Sequence, residues 1–143
     1  MEIIKIAKLV PNAIIPTRKH ADDAGIDLYA VQDVEIPALS HTIVSTGITI
    51  EIQSGFVGLI KPKGRNNHIL GAGVVDAGYQ GEILVKVFNP INQMMQIKMG
   101  DAIGQLLVLP ILTPSVLEVD ISEIHQNNSQ RGGTGGIVSQ YTS

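Results

Sequence analysis

The sequence contains no cysteine and no tryptophan, and only 3% of its 143 residues are aromatic. The absence of cysteine excludes disulfides, thiolate metal ligands and thiol nucleophiles. Any core must therefore be built from Ile, Val and Leu, and the β-branched members of that set favour strands. Because 44% of the residues are hydrophobic and only 16% are charged, we expect one folded domain rather than a disordered chain.

The sequence also lacks an excess of positive charge, since its formal net charge is −3. General nucleic-acid binders usually carry a broad basic face, so no nucleic-acid partner is expected. No apolar stretch is long enough to span a membrane, and residues 1–5 do not resemble a signal peptide. We therefore expect a cytoplasmic protein with no membrane partner. The histidines at 20, 41, 68 and 125 have no spacing typical of zinc ligands.

Short apolar runs recur along the chain and are interrupted by turn-forming residues roughly every ten positions, as in β-sandwiches and barrels. The run at 83–88, for example, ends at Asn89 and Pro90. The pattern predicts an all-β domain over residues 1–125, with short helical segments considered only within 94–100 and 117–125. Residues 126–143 are rich in Gly, Ser, Asn and Gln, and by composition they resemble a flexible tail.

Residues 22–28 contain three carboxylates. Asp27 stands between two apolar residues, Ile26 and Leu28, so its side chain is expected to be half-buried and to need a cation or hydrogen-bond donors. A carboxylate is a hard oxygen ligand, and it can hold Mg²⁺ through water. The alternative is a turn acid that caps its own backbone.

Residues 73–83 place a carboxylate and a tyrosine in a glycine-flanked turn. Asp76 follows an apolar strand, where it can accept a proton from water. Tyr79 offers a flat ring with a polar tip. The alternative is a hairpin whose turn contains Asp and Gly and whose tyrosine only packs.

Two further segments have the composition of anion sites. Lys63, Gly64 and Arg65 combine two cations with a flexible backbone that can present N–H groups to phosphates, although such a charge run is also typical of a solvated loop. Arg131 precedes four glycines within 132–136, and successive N–H groups there suit a polyphosphate. This glycine-rich string matches neither the P-loop nor the Rossmann spacing. Gln105, at the start of an apolar strand, can donate to a ligand.

Taken in order, five segments resemble the five motifs of the dUTP diphosphatase (dUTPase) family. The third segment is the most specific of them, and the ordered co-occurrence adds more than any single string. The matching segments are residues 24–28, 63–65, 73–82, 100–106 and 131–137.

The resemblance implies a jelly-roll-like β domain, the dUTPase-like β-clip, assembled as a homotrimer. It further implies Mg²⁺-assisted hydrolysis of dUTP to dUMP and pyrophosphate, with residues 126–143 closing over a neighbouring subunit's site. Asp76 would activate the water that attacks the α-phosphate, Tyr79 would pack under the deoxyribose, and Asp27 would hold magnesium through water. A strand pair around residues 70–75 would read uracil. Substrate contacts are implied at Lys63, Gly64, Arg65, Gly73, Val74, Val75, Tyr79, Gln105, Arg131, Gly132, Gly135, Gly136 and Ile137.

The sequence departs from the family pattern in three places. Gly64 stands where the second motif usually has a serine, and the loss of one transition-state donor can cost about a hundredfold in rate. Ile137 replaces an aromatic residue that usually stacks over uracil. The stretch between the second and third segments is short, which predicts a trimmed uracil-binding hairpin.

Two alternative functions stay open from the sequence. The first is a nucleotide-binding or regulatory protein that kept the fold but lost turnover. The second is dCTP deamination, a reaction of a related family with the same fold. That family uses a glutamate on the strand after the third motif, where this chain has Lys86. A lysine does not replace a general acid/base carboxylate, so deamination is the less favoured alternative.

Overall fold

The computed structural model describes residues 3–127, and the regular secondary structure of this part of the chain is almost entirely β-strand, which confirms the predicted all-β class. One short 3-10 helix lies at Ile121–Glu123. The strands are β1 (Lys5–Lys8), β2 (Ile26–Tyr29), β3 (Val34–Ile36), β4 (His41–Ser45), β5 (Ile48–Glu51), β6 (Phe56–Lys61), β7 (Ile69–Leu70), β8 (Gly73–Val75), β9 (Leu84–Phe88), β10 (Met95–Ile97) and β11 (Ala102–Pro110).

The strands form four small sheets, and all the pairings between them are antiparallel. The largest sheet has the order β2-β11-β6-β8, so β11 is hydrogen-bonded on both edges. The others are β4-β9-β7, β1-β5 and β3-β10. Because consecutive strands mostly pair with distant ones, residues far apart in sequence become neighbours around β11.

The core consists of aliphatic side chains that alternate along the strands. In β9, Val85 and Val87 are buried while Leu84 and Lys86 are exposed, as expected for a strand with one face on the core. The most buried members are mainly Ile and Val, in agreement with the scarcity of aromatic residues. They include Leu28, Ile36, Val44, Ile48, Ile50, Ile52, Ile83, Val85, Val87, Ile103 and Leu106.

The apolar stretch at 42–52 is interrupted at Gly47, which separates β4 from β5. Gly47 has a φ of +69°, a conformation that glycine adopts readily and other residues rarely do. A Cβ atom at this position would also lie only 2.7 Å from a methyl carbon of Val10. The two strands consequently diverge to different partners, β9 and β1.

Two local expectations need correction or refinement. Residues 94–100, considered for a helix, contain strand β10 instead, whereas 117–125 does contain the single 3-10 turn. The expected strand pair around residues 70–75 is not a mutual pair, because β7 bonds to β9 and β8 bonds to β6. The Gly71 N–H donates to the Lys86 carbonyl at 2.9 Å, which keeps that position against β9.

The chain divides into two units, one extending to Thr113 and the other starting at Pro114. The described part of the second unit is exposed, and its 3-10 turn is closed by a 2.8 Å bond from the Glu123 N–H to the Asp120 carbonyl. The predicted boundary between residues 125 and 126 stays a prediction. Within residues 3–127, no helix is long and apolar enough to cross a membrane. Five predicted site residues lie outside the described residues: Arg131, Gly132, Gly135, Gly136 and Ile137.

Candidate active site

The predicted magnesium-holding carboxylate and one predicted phosphate-binding cation contact each other. Lys63 Nζ lies 2.5 Å from Asp27 Oδ1, and the two side chains are only 28% and 16% exposed. Asp27 is half-buried, as expected, because it alternates with buried Ile26 and Leu28 along β2. Lys63 supplies the cation that such a carboxylate needs.

Gln105 lies beside this ion pair in the sheet. Its backbone is in register with Asp27 on one side and with Lys61 on the other. Its side-chain Nε2 donates to the Pro62 carbonyl at 3.0 Å, which ties the loop after β6 to β11. A Cβ atom at Gly25 would lie 2.2 Å from Gln105 Oε1, so glycine at position 25 allows the Gln105 side chain to approach this closely. Three predicted site residues, Asp27, Lys63 and Gln105, therefore meet in one group.

The cationic loop after β6 contains a tight turn. The Asn66 N–H donates to the Lys63 carbonyl at 3.1 Å, so Gly64 and Arg65 occupy the two central positions. Both are exposed. No atom lies within 4 Å of a Cβ built at Gly64, and its φ lies outside the left-handed region. Glycine at position 64 is therefore not required by packing or by backbone conformation.

Two side chains that the sequence did not single out hold the far end of this loop. Asn66 Nδ2 donates to the Ala102 carbonyl at 3.0 Å, and His68 Nε2 lies 2.9 Å from the Ile103 carbonyl. Both residues, with Lys63 and Arg65, line a cavity of about 440 Å³. Their partners lie 35 and 36 residues away, so no local sequence signal identified them.

Asp76 and Tyr79 belong to a second group, in the turn after β8. The Tyr79 N–H donates to the Asp76 carbonyl at 3.0 Å, and the Tyr79 hydroxyl donates to the Glu82 carbonyl at 2.5 Å. A Cβ atom at Gly81 would lie 2.7 Å from that hydroxyl, so Gly81 lets the side chain fold back over the turn. A cavity of about 280 Å³ is lined by Tyr79 together with the other predicted members Gly73, Val74 and Val75.

Contacts that the sequence did not reveal fasten this second turn to Gly47, between β4 and β5, and to Thr49 in β5. Glu82 Oε2 accepts a hydrogen bond from the Gly47 N–H at 2.9 Å. The Thr49 hydroxyl donates to the Gly81 carbonyl at 2.8 Å. These bonds fix the base of the turn while Asp76 and Tyr79 remain exposed to solvent.

The two groups are separate within one chain. Among residues 3–127, no side-chain hydrogen bond or ion pair joins the Asp27–Lys63–Gln105 group to Asp76 or Tyr79, and the two cavities have no lining residue in common. In the same range, no set of three or more His, Asp or Glu side chains is arranged to hold a metal ion. A cation at Asp27 would therefore depend on water or on the substrate for most of its ligands.

The fold and the first group of residues place this chain in a class of protein: small all-β proteins that carry a cationic loop beside a half-buried carboxylate. Residues 11–138 match the family model for dUTPase. The deoxyuridine 5'-triphosphate nucleotidohydrolase of Paramecium bursaria Chlorella virus 1 is 36% identical over 139 residues, covering 94% of this chain and 96% of that relative. The enzyme of the same name from Arabidopsis thaliana is 35% identical over 136 residues, covering 92% of this chain and 82% of the relative.

The fold is also similar to that of the Staphylococcus bacteriophage 80alpha dUTPase, whose structure was solved with dUpNHpp. The TM-score is 0.83 at 23% identity, with 94% of this chain and 96% of that chain covered. The chain belongs to the dUTPase family.

Proposed function

We propose that this protein hydrolyses dUTP to dUMP and pyrophosphate with the assistance of Mg²⁺. Family membership supports the substrate, because the relatives are named for the hydrolysis of deoxyuridine triphosphate. The observation within this chain that carries the proposal is the meeting of Asp27, Lys63 and Gln105 beside a cationic turn. This group offers a carboxylate for a hydrated cation and donors for phosphate oxygens.

In the proposed mechanism, Asp76 orients and deprotonates the water that attacks the α-phosphate. Its exposed position after β8 leaves the carboxylate free to meet a substrate. Tyr79 presents its ring at the cavity that also contains Gly73, Val74 and Val75, where it would pack against the deoxyribose and reject a 2′-hydroxyl. The backbone of residues 70–75 would then contact the base.

Phosphate binding would come from Lys63, the turn at Gly64 and Arg65, and Gln105. Reaction at a polyphosphate depends mainly on positioning and on neutralisation of charge. Bound magnesium would supply part of that neutralisation and would orient the triphosphate. Asp27 would hold such an ion through water, since Mg²⁺ usually keeps several of its waters when it binds to a protein. A Staphylococcus aureus phage phi11 dUTPase of similar fold contains a structural Mg(II) ion. Residues 126–143, which include Arg131, would close over the β and γ phosphates in a neighbouring subunit's site.

The site would be assembled between the subunits of a homotrimer. Two features support this part of the proposal. The Asp76–Tyr79 group does not contact the Asp27–Lys63–Gln105 group among the described residues, so subunits can bring the two together. Several large apolar side chains near the end of the described chain are also exposed, as is common at subunit interfaces. They are Leu112 at 92%, Val116 at 99%, Leu117 at 82% and Ile121 at 80%.

Two alternative functions, nucleotide binding with weak turnover and dCTP deamination, can be distinguished from dUTP hydrolysis by experiment. Gly64, without the usual serine hydroxyl, favours a binding or regulatory protein with weak turnover. Deamination is disfavoured because Lys86, and not a carboxylate, occupies the position of the glutamate that deamination would require. The Lys86 side chain is exposed and lies over Gly71, with Cδ 3.2 Å from a Cβ built there.

The test is pyrophosphate and ammonia release from dUTP, UTP, dTTP and dCTP, measured with Mg²⁺ and again with EDTA. Magnesium-dependent pyrophosphate from dUTP, with little from UTP and dTTP, is the expected result. Binding of dUTP without pyrophosphate release would identify a binding protein. Ammonia from dCTP would identify a deaminase.

A further inference from the structure

The loop of residues 62–68 is held to strand β11 at three points. Gln105 donates to the Pro62 carbonyl at 3.0 Å, which fixes the beginning of the loop. Asn66 and His68 contact the Ala102 and Ile103 carbonyls at 3.0 and 2.9 Å, which fixes its end. The turn at Gly64 and Arg65 lies between these attachments.

The chemistry of these contacts shows that one particular ring nitrogen of His68 carries a hydrogen. A backbone carbonyl only accepts hydrogen bonds, so His68 Nε2 must carry the hydrogen. The same nitrogen lies 3.4 Å from Asn66 Nδ2, which is also a donor; this second contact is therefore not a hydrogen bond. Asn66 and His68 hence donate separately, each to a different backbone carbonyl of β11.

These attachments bear directly on phosphate binding. Strand β11 also carries Gln105, beside the Asp27–Lys63 ion pair. A loop fastened at both ends to this strand has its turn N–H groups oriented before a ligand arrives. Prior orientation matters because a misplacement of about 1 Å can cost about a hundredfold in rate.

We propose that Asn66 and His68 are positioning residues for the phosphate-binding turn. The proposal rests on the proposed dUTP hydrolysis and deepens it. Neither side chain is required to touch the substrate. Each acts through the backbone of residues 63–65.

The first test compares His68→Leu with His68→Gln. The glutamine Nε2 can occupy nearly the place of His68 Nε2 and donate to the same carbonyl, whereas leucine cannot. We expect His68→Leu to lower kcat about 10- to 100-fold and to raise KM by a smaller factor, since misplacement acts mainly in the transition state but also weakens phosphate binding in the ground state. His68→Gln should restore most of the loss. An unchanged kcat in His68→Leu, or an equal loss in both variants, would overturn the proposal.

A second comparison guards against misfolding of the histidine variants. Asn66→Leu should lower kcat as His68→Leu does. Asn67→Leu, the same change in the same loop, should not, because Asn67 makes no side-chain hydrogen bond among the described residues. Thermal unfolding of every variant reports whether it is folded. Equal losses in the Asn66 and Asn67 variants would contradict the proposal.

A third readout separates this proposal from the proposed activity. Inorganic tripolyphosphate should raise the melting temperature of the parent and of His68→Gln more than that of His68→Leu. This holds even if the parent protein releases no pyrophosphate from dUTP, a result that would refute the proposed hydrolysis alone. Equal shifts in all three proteins would refute the positioning role.

Discussion

Replacing Asp27 with asparagine separates two consequences of the Asp27–Lys63 contact. The variant keeps the shape of the side chain but removes its charge. Exposed ion pairs contribute about 0–1 kcal/mol to stability, and breaking fully buried pairs costs about 3–5 kcal/mol. The two side chains here are 16% and 28% exposed. We therefore expect an intermediate loss of about 1–3 kcal/mol in the free energy of unfolding.

The same variant should strengthen tripolyphosphate binding in the absence of magnesium and lower kcat/KM for dUTP in its presence. In EDTA, Lys63 would no longer be neutralised by Asp27, and a unit charge about 8 Å away at an effective dielectric of about 20 contributes about 2 kcal/mol. Tripolyphosphate should therefore bind about tenfold or more tightly to Asp27→Asn than to the parent. With Mg²⁺, kcat/KM for dUTP should fall, because the carboxylate that would hold the hydrated ion is gone.

Isothermal calorimetry with tripolyphosphate in EDTA and steady-state assays with Mg²⁺ measure the two effects. Glu51→Gln is the matched control, since Glu51 forms an exposed ion pair with Lys5 at 3.5 Å and should leave both quantities unchanged. Weaker or equal tripolyphosphate binding by Asp27→Asn would refute the inference that Asp27 neutralises Lys63 in the free protein.

Three further changes follow from local geometry. Gly64→Ser should fold like the parent, since its Cβ meets no atom within 4 Å. It should raise kcat/KM by at most the roughly hundred- to thousandfold that one donor contributes, and a fall would show that the hydroxyl is not accommodated. Gly25→Ala should force Gln105 aside and cost about 1–3 kcal/mol in denaturant unfolding, and unchanged stability would contradict that close contact. The hydrogen bond from His20 holds the pKa of Asp23 below its ordinary value of 3.8. The stabilisation is thus present above pH 3.8 and is lost as pH falls through the lower folded pKa. His20→Ala should raise the pKa of Asp23, which a carboxyl NMR titration would detect, and an unchanged pKa would count against this hydrogen bond.

The sequence allowed the fold class to be predicted because apolar runs and turn formers are local signals. It did not reveal which strands pair. The split at Gly47 depends on the close approach of Val10, which lies far away in the sequence. The expected pair at residues 70–75 was wrong because β7 pairs with β9 and β8 pairs with β6, and both partners lie outside that segment.

The site shows the same division between local and long-range information. Asp27 and Lys63 were each identified from their residue type and neighbours, but their contact spans 36 positions. His68 was considered only as a metal ligand, a role that depends on spacing to other ligands. Its bond to a backbone carbonyl leaves no pattern in the sequence. The roles of Asp76 and Tyr79, and those of the residues beyond 127, remain predictions.

The most direct test of the proposed hydrolysis measures pyrophosphate release and dUTP binding for the parent protein and for Asp76→Asn. A general base contributes about 10²–10⁴-fold to rate, so turnover by the variant should fall by at least about a hundredfold. Its affinity for dUTP should change little, because asparagine keeps the shape of the side chain. Magnesium-dependent release by the parent together with this selective loss is the predicted result. No release by the parent, or full turnover by Asp76→Asn, would contradict it.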